Sequence, residues 1–584
     1  MSTVHYDITP ASLGGHRFDV RLTVQTDGEG LDLTLPTWIP GSYLVRDFSK
    51  HLGRVTAHCS GRALRVRKHD KRRWRVEPCD GEVVIEYEVY AHDLSVRGAH
   101  LDSTHGFFNG SSVFLEVEGR EEQPLTVTIH APTDEHVSVK DWRVATTLPR
   151  DGASEWGFGR FRVSNYAELI DHPVEMGRFD LVPFEVAGVP HYFVLSGRHH
   201  CDTARLADDA ARICRTQVDL FGELPSMERY LFLTRVEGSG YGGLEHRASS
   251  ALVCARDALP KHSGHADKKY RQFLGLVSHE YFHLWNVKRI KPAVFTPYAL
   301  EGESYTELLW VFEGVTSYYD DLALVRSGVI DEKAYAELLS NTISRVRASV
   351  GHRHQSLAES SFDAWVKFYK PDENTPNAVV SYYAKGALVA MALDLTLRER
   401  GDATLDDVMR AMWSHYGSRD VGVPEDGFEE VVEQVSGLHL RPFFDAMVRD
   451  TQAPDLEALL ESVGWQLMPA SEPAAPITSL GVTLAAGSSE IKTVRRGSCA
   501  ERAGLAAGDT LIAINGLRVA DKVAALLKPY SVGDRVRVHL FRRDELIEFD
   551  VVLEKRPATR WVIADAPQAD DRALASRALW LQLH

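Results

Sequence analysis

The chain has 584 residues, 44% apolar and 25% charged, enough material for about three or four domains with sizeable cores. Its net charge of −16 argues against a nucleic-acid footprint, and no apolar run approaches the roughly 18 residues that span a bilayer. The start, MSTVHYDITPASLGG, lacks a basic stretch followed by an apolar one, and six dispersed cysteines (59, 79, 201, 214, 254, 499) without CxxC pairs suit reduced, buried thiols. The expected location is the cytoplasm.

Residues 1–170 alternate in period two. Phe18, Val20, Leu22 and Val24 make one run, Val83, Ile85, Tyr87 and Val89 another, and Leu125, Val127 and Ile129 a third. Turn-forming TDGEG and CDGE separate them, which predicts an all-β module of sheet on sheet. Strand-like sequence continues through YLFLTRVEG (230–238). From about Lys268 the apolar spacing changes to three and four, with further helices expected at 332–348, 384–399, 404–414 and 426–436. Helices that succeed strands point to an α+β catalytic domain over 171–468. PASEPAAPITS then reads as a linker. A compact module spans 475–557, and the tail 558–584, ending RALWLQLH, is expected to pack back as a short helix.

Within the helical region stands SHEYFHLW (278–285). On a helix, residues four apart share a face, so His279 and His283 can present ring nitrogens to one metal ion. Glu280 is rotated away from the metal and faces a water that the metal would activate. A hydrolytic zinc takes three protein ligands and keeps one position open. The segment YTELLWVFEGVTSYYDDLALV (305–325) reads as a second apolar helix, with Glu313 amid Trp310, Val311, Phe312 and Val315. A carboxylate so surrounded needs a partner, and zinc is a good one.

HEYFHLWNVKRIKP followed by LLWVFEGVTSYY resembles the glycyl aminopeptidase family, relatives of aminopeptidase N among the zinc peptidases with a glutamate ligand. The resemblance extends over nearly the whole chain, including LPTWIPGSYLVRDFSKHL (35–52). It implies an N-terminal β-sandwich-like domain, a thermolysin-like, mainly helical zinc domain, and a zinc aminopeptidase with one Zn2+ per chain. Aminopeptidase N itself places its ligand glutamate after a shorter interval, which here would land on Gly302, between Glu301 and Glu303. Glu313 is preferred because it sits in a helix and in the EGxTxYY context of the family.

Two further stretches carry an exopeptidase reading. In GSGYGGLEHRASS (238–250), Gly242 and Gly243 allow a substrate backbone to pair closely along an edge strand. Glu245 would meet the free amino group, in a stretch similar to the family's Gly-x-Met-Glu-Asn. SYYAKGALVAMALDL (381–395) is similar to a Tyr-Glu-Lys-Gly segment whose tyrosine faces the developing oxyanion. That implies Tyr383, with Tyr382 as its neighbour. Asp320 is a candidate to orient a ligand histidine, and Asn109, by analogy, to reach the substrate amine. The resemblance implies glycine or alanine as the first residue removed.

SLGV (479–482) followed by GLAAGDTLIAINGLRV (504–519) looks like a PDZ domain of the bacterial protease type. Asn515–Gly516 signals a tight turn, and the SLGV loop would offer backbone N–H groups to a peptide C-terminus. The expected partners are peptides with a free N-terminus, with neither nucleic acid nor membrane. Two alternatives remain open: an endopeptidase to which the PDZ module delivers substrate, and a non-catalytic PDZ scaffold.

Overall fold

Alternation in Arg17–Asp27 (RFDVRLTVQTD) turns Phe18, Val20, Leu22 and Val24 to one side, and all four are buried. The computed structural model describes residues 4–133, 138–262, 266–471, 475–520 and 523–583. Two compact units emerge. One comprises Met1–Ser304, Tyr319–Ile330 and Met409–Pro424; the other comprises Tyr305–Tyr318, Asp331–Val408 and Glu425–His584.

In the first unit, Arg17–Asp27 lies between Val4–Ser12 and Asp80–Tyr90 in a seven-stranded sheet. Two four-stranded sheets complete the β-rich N-terminal domain around a core that includes Tyr6, Leu33, Ile85 and Phe114. Next comes a five-stranded sheet, ordered Phe179–Val186, Val189–Ser196, Tyr230–Glu237, Ser249–Ala255, Tyr241–Glu245. Helix Thr203–Phe221 forms the crossover between the parallel strands Val189–Ser196 and Tyr230–Glu237. Tyr241–Glu245 is an edge strand of this sheet, antiparallel to Ser249–Ala255.

Helix Lys268–Phe282 starts on Asp267, whose side chain accepts the Tyr270 N–H. His283 is its C-cap, so the HExxH pattern straddles a helix end and is not central to one as its spacing suggested. The chain turns there because the Leu284 and Trp285 N–H groups bond back to Tyr281 and Phe282 in tight turns, and Lys288 N–H reaches the His283 carbonyl.

The second unit is mainly helical. Its helices Glu332–Ala348, Ala384–Arg400 and Gly427–Ser436, together with Leu405–His415, which runs from it into the first unit, match the expected helices within a residue or two at each end. The helix expected over 305–325 begins later. Thr306 and the Glu307 N–H are held by the Glu425 carboxylate, and a π-helical turn over Trp310–Val315 then runs directly into α-helix Thr316–Arg326.

The PDZ domain carries a four-stranded sheet (Leu517–Arg518, Thr510–Ile514, Arg535–Arg542, Glu545–Val552) over a core of Ile491, Leu511, Val538 and Val551. Asn515 and Gly516 both have positive φ, 48° and 77°, as a two-residue hairpin turn requires. Asn377 bonds the Val494 carbonyl and the Arg496 N–H of this domain. Helix Asp571–Leu581 buries Trp580, whose indole N–H donates to the Tyr318 hydroxyl.

One expectation is corrected. Cys59 and Cys79 form a disulfide, closing a 20-residue separation at the ends of paired strands, so the six thiols are not all reduced. Dispersed cysteines carry no pairing signal along the chain; the sheet register brings these two together. Among the described residues no helix is long and apolar enough to cross a membrane.

Candidate active site

The HExxH helix is anchored from behind. Gln217 donates to the Ser278 carbonyl and hydroxyl, and the Ser278 hydroxyl donates to the Asp320 carbonyl. This fixes the orientation of the next two side chains. The rings of His279 and His283 stand nearly perpendicular, 89° apart, with centroids 4.6 Å from each other. His279 Nδ1 lies 2.9 Å from Asp320 Oδ2, and His283 Nδ1 lies 2.6 Å from the Asn286 carbonyl oxygen. With each Nδ1 so engaged, Nε2 of each ring is the atom that would take a metal. This pattern of oriented imidazoles is the one that metal-binding histidines show.

Glu313 and Asp320 belong to one uninterrupted helical stretch, seven residues apart. His279 and His283 lie in the first unit, and Glu313, buried like His283, lies in the second. Two imidazoles and a carboxylate are a donor set that suits zinc. Glu301 and Glu303 lie in an irregular segment ahead of this helix.

Glu245, Glu280 and His283 form a convergent group, each offering a ligand atom within 4.8 Å of the others. Glu245 is 3% exposed and Glu280 5%. Edge strand Tyr241–Glu245 passes so close to helix Lys268–Phe282 that a Cβ on Gly243 would overlap the Glu280 carboxylate. On the other side a Cβ on Gly41, which has φ +95°, would overlap the Glu245 carboxylate. Glu245 Oε1 is buried with no hydrogen-bond partner among the described residues. A buried carboxylate oxygen in that state lacks the hydrogen bond that normally offsets the cost of its burial.

Several residues that sequence reasoning did not single out support this strand. Arg97 donates to the Gly243 carbonyl at 3.1 Å. Asn109 is fully buried, and its amide donates to the Val96 and Gly98 carbonyls, holding the loop that carries Arg97. Behind Glu245, Lys288 Nζ lies 2.7 Å from Asp171 Oδ1, while His246 Nδ1 and the Arg247 N–H approach the same carboxylate. Against the cost of burial, the Lys288 ammonium and His246 hold the Asp171 carboxyl well below the usual range. Burial opposes the Lys288 charge, but Asp171, with help from Tyr298 and Glu245, keeps that ammonium above its ordinary value. Nothing in local sequence marks these as a set, since they come from residues 41 to 288.

The tyrosine pair lies in the helical unit. Tyr383 is half-buried, precedes helix Ala384–Arg400, and shares a 2.8 Å hydrogen bond with the Tyr369 hydroxyl. Tyr382 is fully buried, and burial, then Tyr369 and Glu313, push its phenol well above the ordinary value. In the PDZ domain, the SLGV loop spends the Gly481 N–H on its own Ser479 hydroxyl.

Family models match three stretches of the chain: the Peptidase M61 N-terminal domain over residues 5–178, M61 glycyl aminopeptidase over 272–389, and a PDZ domain over 490–540. Among solved structures, an aminopeptidase N family protein from Idiomarina loihiensis is 41% identical, with a TM-score of 0.93 over 99% of this chain and 100% of that one. An M1 zinc metallopeptidase from Deinococcus radiodurans, bound to a Tyr-Ser-Ala substrate, is 16% identical with a TM-score of 0.48, covering 78% of this chain and 95% of that one. A search of curated proteins gave no match.

Proposed function

The chain belongs to the M61 glycyl aminopeptidase family and is a metallo-aminopeptidase, and from that premise we propose a zinc-dependent enzyme that removes small N-terminal residues, glycine or alanine, from peptides. The observation that carries the reading is the convergence of two carboxylates, Glu245 and Glu280, on His283 of the HExxH pair. His279, His283 and Glu313 hold the metal in this reading. A zinc ion there supplies Lewis acidity toward the scissile carbonyl and acidifies the attacking water.

The chain's own residues do the rest. Glu280 takes the proton from the attacking water and returns it to the departing amine. Glu245 pairs with the substrate α-ammonium, which orders the first residue and disfavours internal peptide bonds. The Gly242–Gly243 strand leaves room for the substrate backbone, and Arg97 fixes its position. Tyr383 donates its phenol proton to the oxyanion, a contribution of about 3 kcal/mol in comparable cases. Asp320 and the Asn286 carbonyl set the histidine tautomers.

The proposal extends to the division of the chain into a β domain (1–170), a catalytic domain (171–468), a PDZ domain (475–557) and a C-terminal tail (558–584). The PDZ groove is assigned a peptide C-terminus. The test is zinc content together with turnover of free-amine, N-acetylated and internally quenched peptides. Stoichiometric zinc and loss of hydrolysis on acetylation are expected. Cleavage of acetylated or internal bonds favours the endopeptidase alternative, and no turnover at all favours the scaffold.

A further inference from the structure

Outside the peptidase centre, a hairpin of the β domain gathers another set of metal-ligating side chains. Strands Ala99–Leu101 and His105–Phe108 pair with Gly106 opposite Leu101. The Asp102 N–H bonds the His105 carbonyl, so Asp102 faces His105 across the turn. Side chains two apart on a strand share a face. His100, Asp102 and His105 therefore project to the same side.

The turn is rigid. Asp102 Oδ1 accepts the Thr104 N–H and hydroxyl, each at 2.6 Å, and the His105 N–H at 3.1 Å. His100 Nε2 lies 3.1 Å from Asp102 Oδ2, and His105 Nδ1 lies 3.7 Å from Asp102 Oδ1. All three residues offer a ligand atom within 4.8 Å of the others.

His100 is 1% exposed, and its Nδ1 and His105 Nε2, the ring nitrogens opposite those that face Asp102, are buried without a hydrogen-bond partner among the described residues. Access exists as well: Asp102 and His105 line a cavity of about 1530 Å³, together with Arg143, Arg178, Arg235 and Glu237.

We propose that His100, Asp102 and His105 bind one divalent first-row transition-metal ion, at a site separate from the peptidase centre. Two imidazoles and one carboxylate select zinc and its neighbours over calcium or magnesium, which take oxygen ligands.

The test strips the full-length protein with a chelator, titrates it with Zn2+, and reads bound metal by mass spectrometry after desalting. Two zinc ions per chain are expected for the wild type. One is expected for H279A/H283A, and one for H100A/H105A, which retains peptide hydrolysis. A single wild-type zinc that disappears in H279A/H283A overturns the proposal, as does a count of two in H100A/H105A. Should H100A/H105A fail to fold, as read by its melting curve, Asp102→Asn decides. It keeps the Oδ1 acceptor of the turn but removes the charge, and is expected to weaken the second site at least tenfold. Unchanged affinity there overturns the proposal.

Discussion

Replacing Glu245 by glutamine removes a charge while keeping shape and an acceptor oxygen. The carboxylate is 3% exposed, with Oε1 lacking a hydrogen-bond partner among the described residues and Gly41 pressed against it. A charge-assisted hydrogen bond contributes about 1.5–3 kcal/mol and a neutral one about 0.5–1.5. The difference, about 1–2 kcal/mol, corresponds to a loss of about 5- to 30-fold in kcat/KM on a free-amine dipeptide. Glu245→Ala leaves the incoming ammonium buried without its partner. About 2–5 kcal/mol is then at stake, a fall of at least about 30-fold.

The decisive readout is the ratio of kcat/KM for a glycyl peptide to that for its N-acetyl form. The wild type is expected to discriminate strongly and Glu245→Gln to lose most of that discrimination, at unchanged zinc content. Melting curves serve as a control, because Lys288 senses the Glu245 charge as well as that of Asp171. A variant that keeps the wild-type ratio would refute the placement of the amine at this carboxylate.

Glu280→Gln is expected to bind zinc normally while kcat falls by about 10²- to 10⁴-fold, the usual range for a lost proton shuttle; hydrolysis at the wild-type rate would remove Glu280 as the base. Asp320→Asn replaces the acceptor at His279 Nδ1, and chelator competition should read a zinc affinity about 10- to 100-fold weaker. Gly243→Ala puts a methyl group into the Glu280 carboxylate, so kcat should drop by about 10²-fold with zinc retained. Buried Glu175, which accepts the Ser196 hydroxyl, is pushed up to about 8 by burial. Between the ordinary carboxyl value and about pH 8 the folded state holds a proton that the unfolded state has lost. Stability therefore falls as pH rises through that window, by at most about 1.4 kcal/mol per pH unit. Glu175→Gln should flatten this part of the melting profile, and an identical slope in both proteins would exclude the effect.

What the sequence made legible was local. Period-two runs such as Phe18–Val24 and three-four spacing in Glu332–Ala348 became the expected strand and helix, because each buries one face. HExxH and Asn515–Gly516 were readable because a few adjacent residues carry the whole geometric requirement. The illegible parts depend on tertiary approach. Arg97, Gly41, Asp171 and Lys288 surround the edge strand from distant positions, and no pattern along the chain links them. Asn109 braces the loop that carries Arg97 through the Val96 and Gly98 carbonyls, contacts that no pattern around it in the sequence announces. Cys59 and Cys79 show the same limit, since only the sheet register adds the distance information.

The π-helical turn over Trp310–Val315 deserves a physical reading, since such turns are rare and recur at functional sites. Glu313 sits inside it, and from Thr316 the chain is α-helical to Arg326. Seven α-helical residues return to the same face within about 20°, and the wider turn alters that phase only near Glu313. Asp320, held to His279, lies seven residues beyond Glu313 on this stretch. Gly314 lets this turn approach helix Ala384–Arg400, since a Cβ there would collide with the Gly386 backbone. One helical stretch therefore carries both the carboxylate that orients a ligand histidine and the proposed third ligand. The spacing of Glu313 from the HExxH pattern then follows from the chain between His283 and Trp310, which turns irregularly, and not from a fixed interval within a helix.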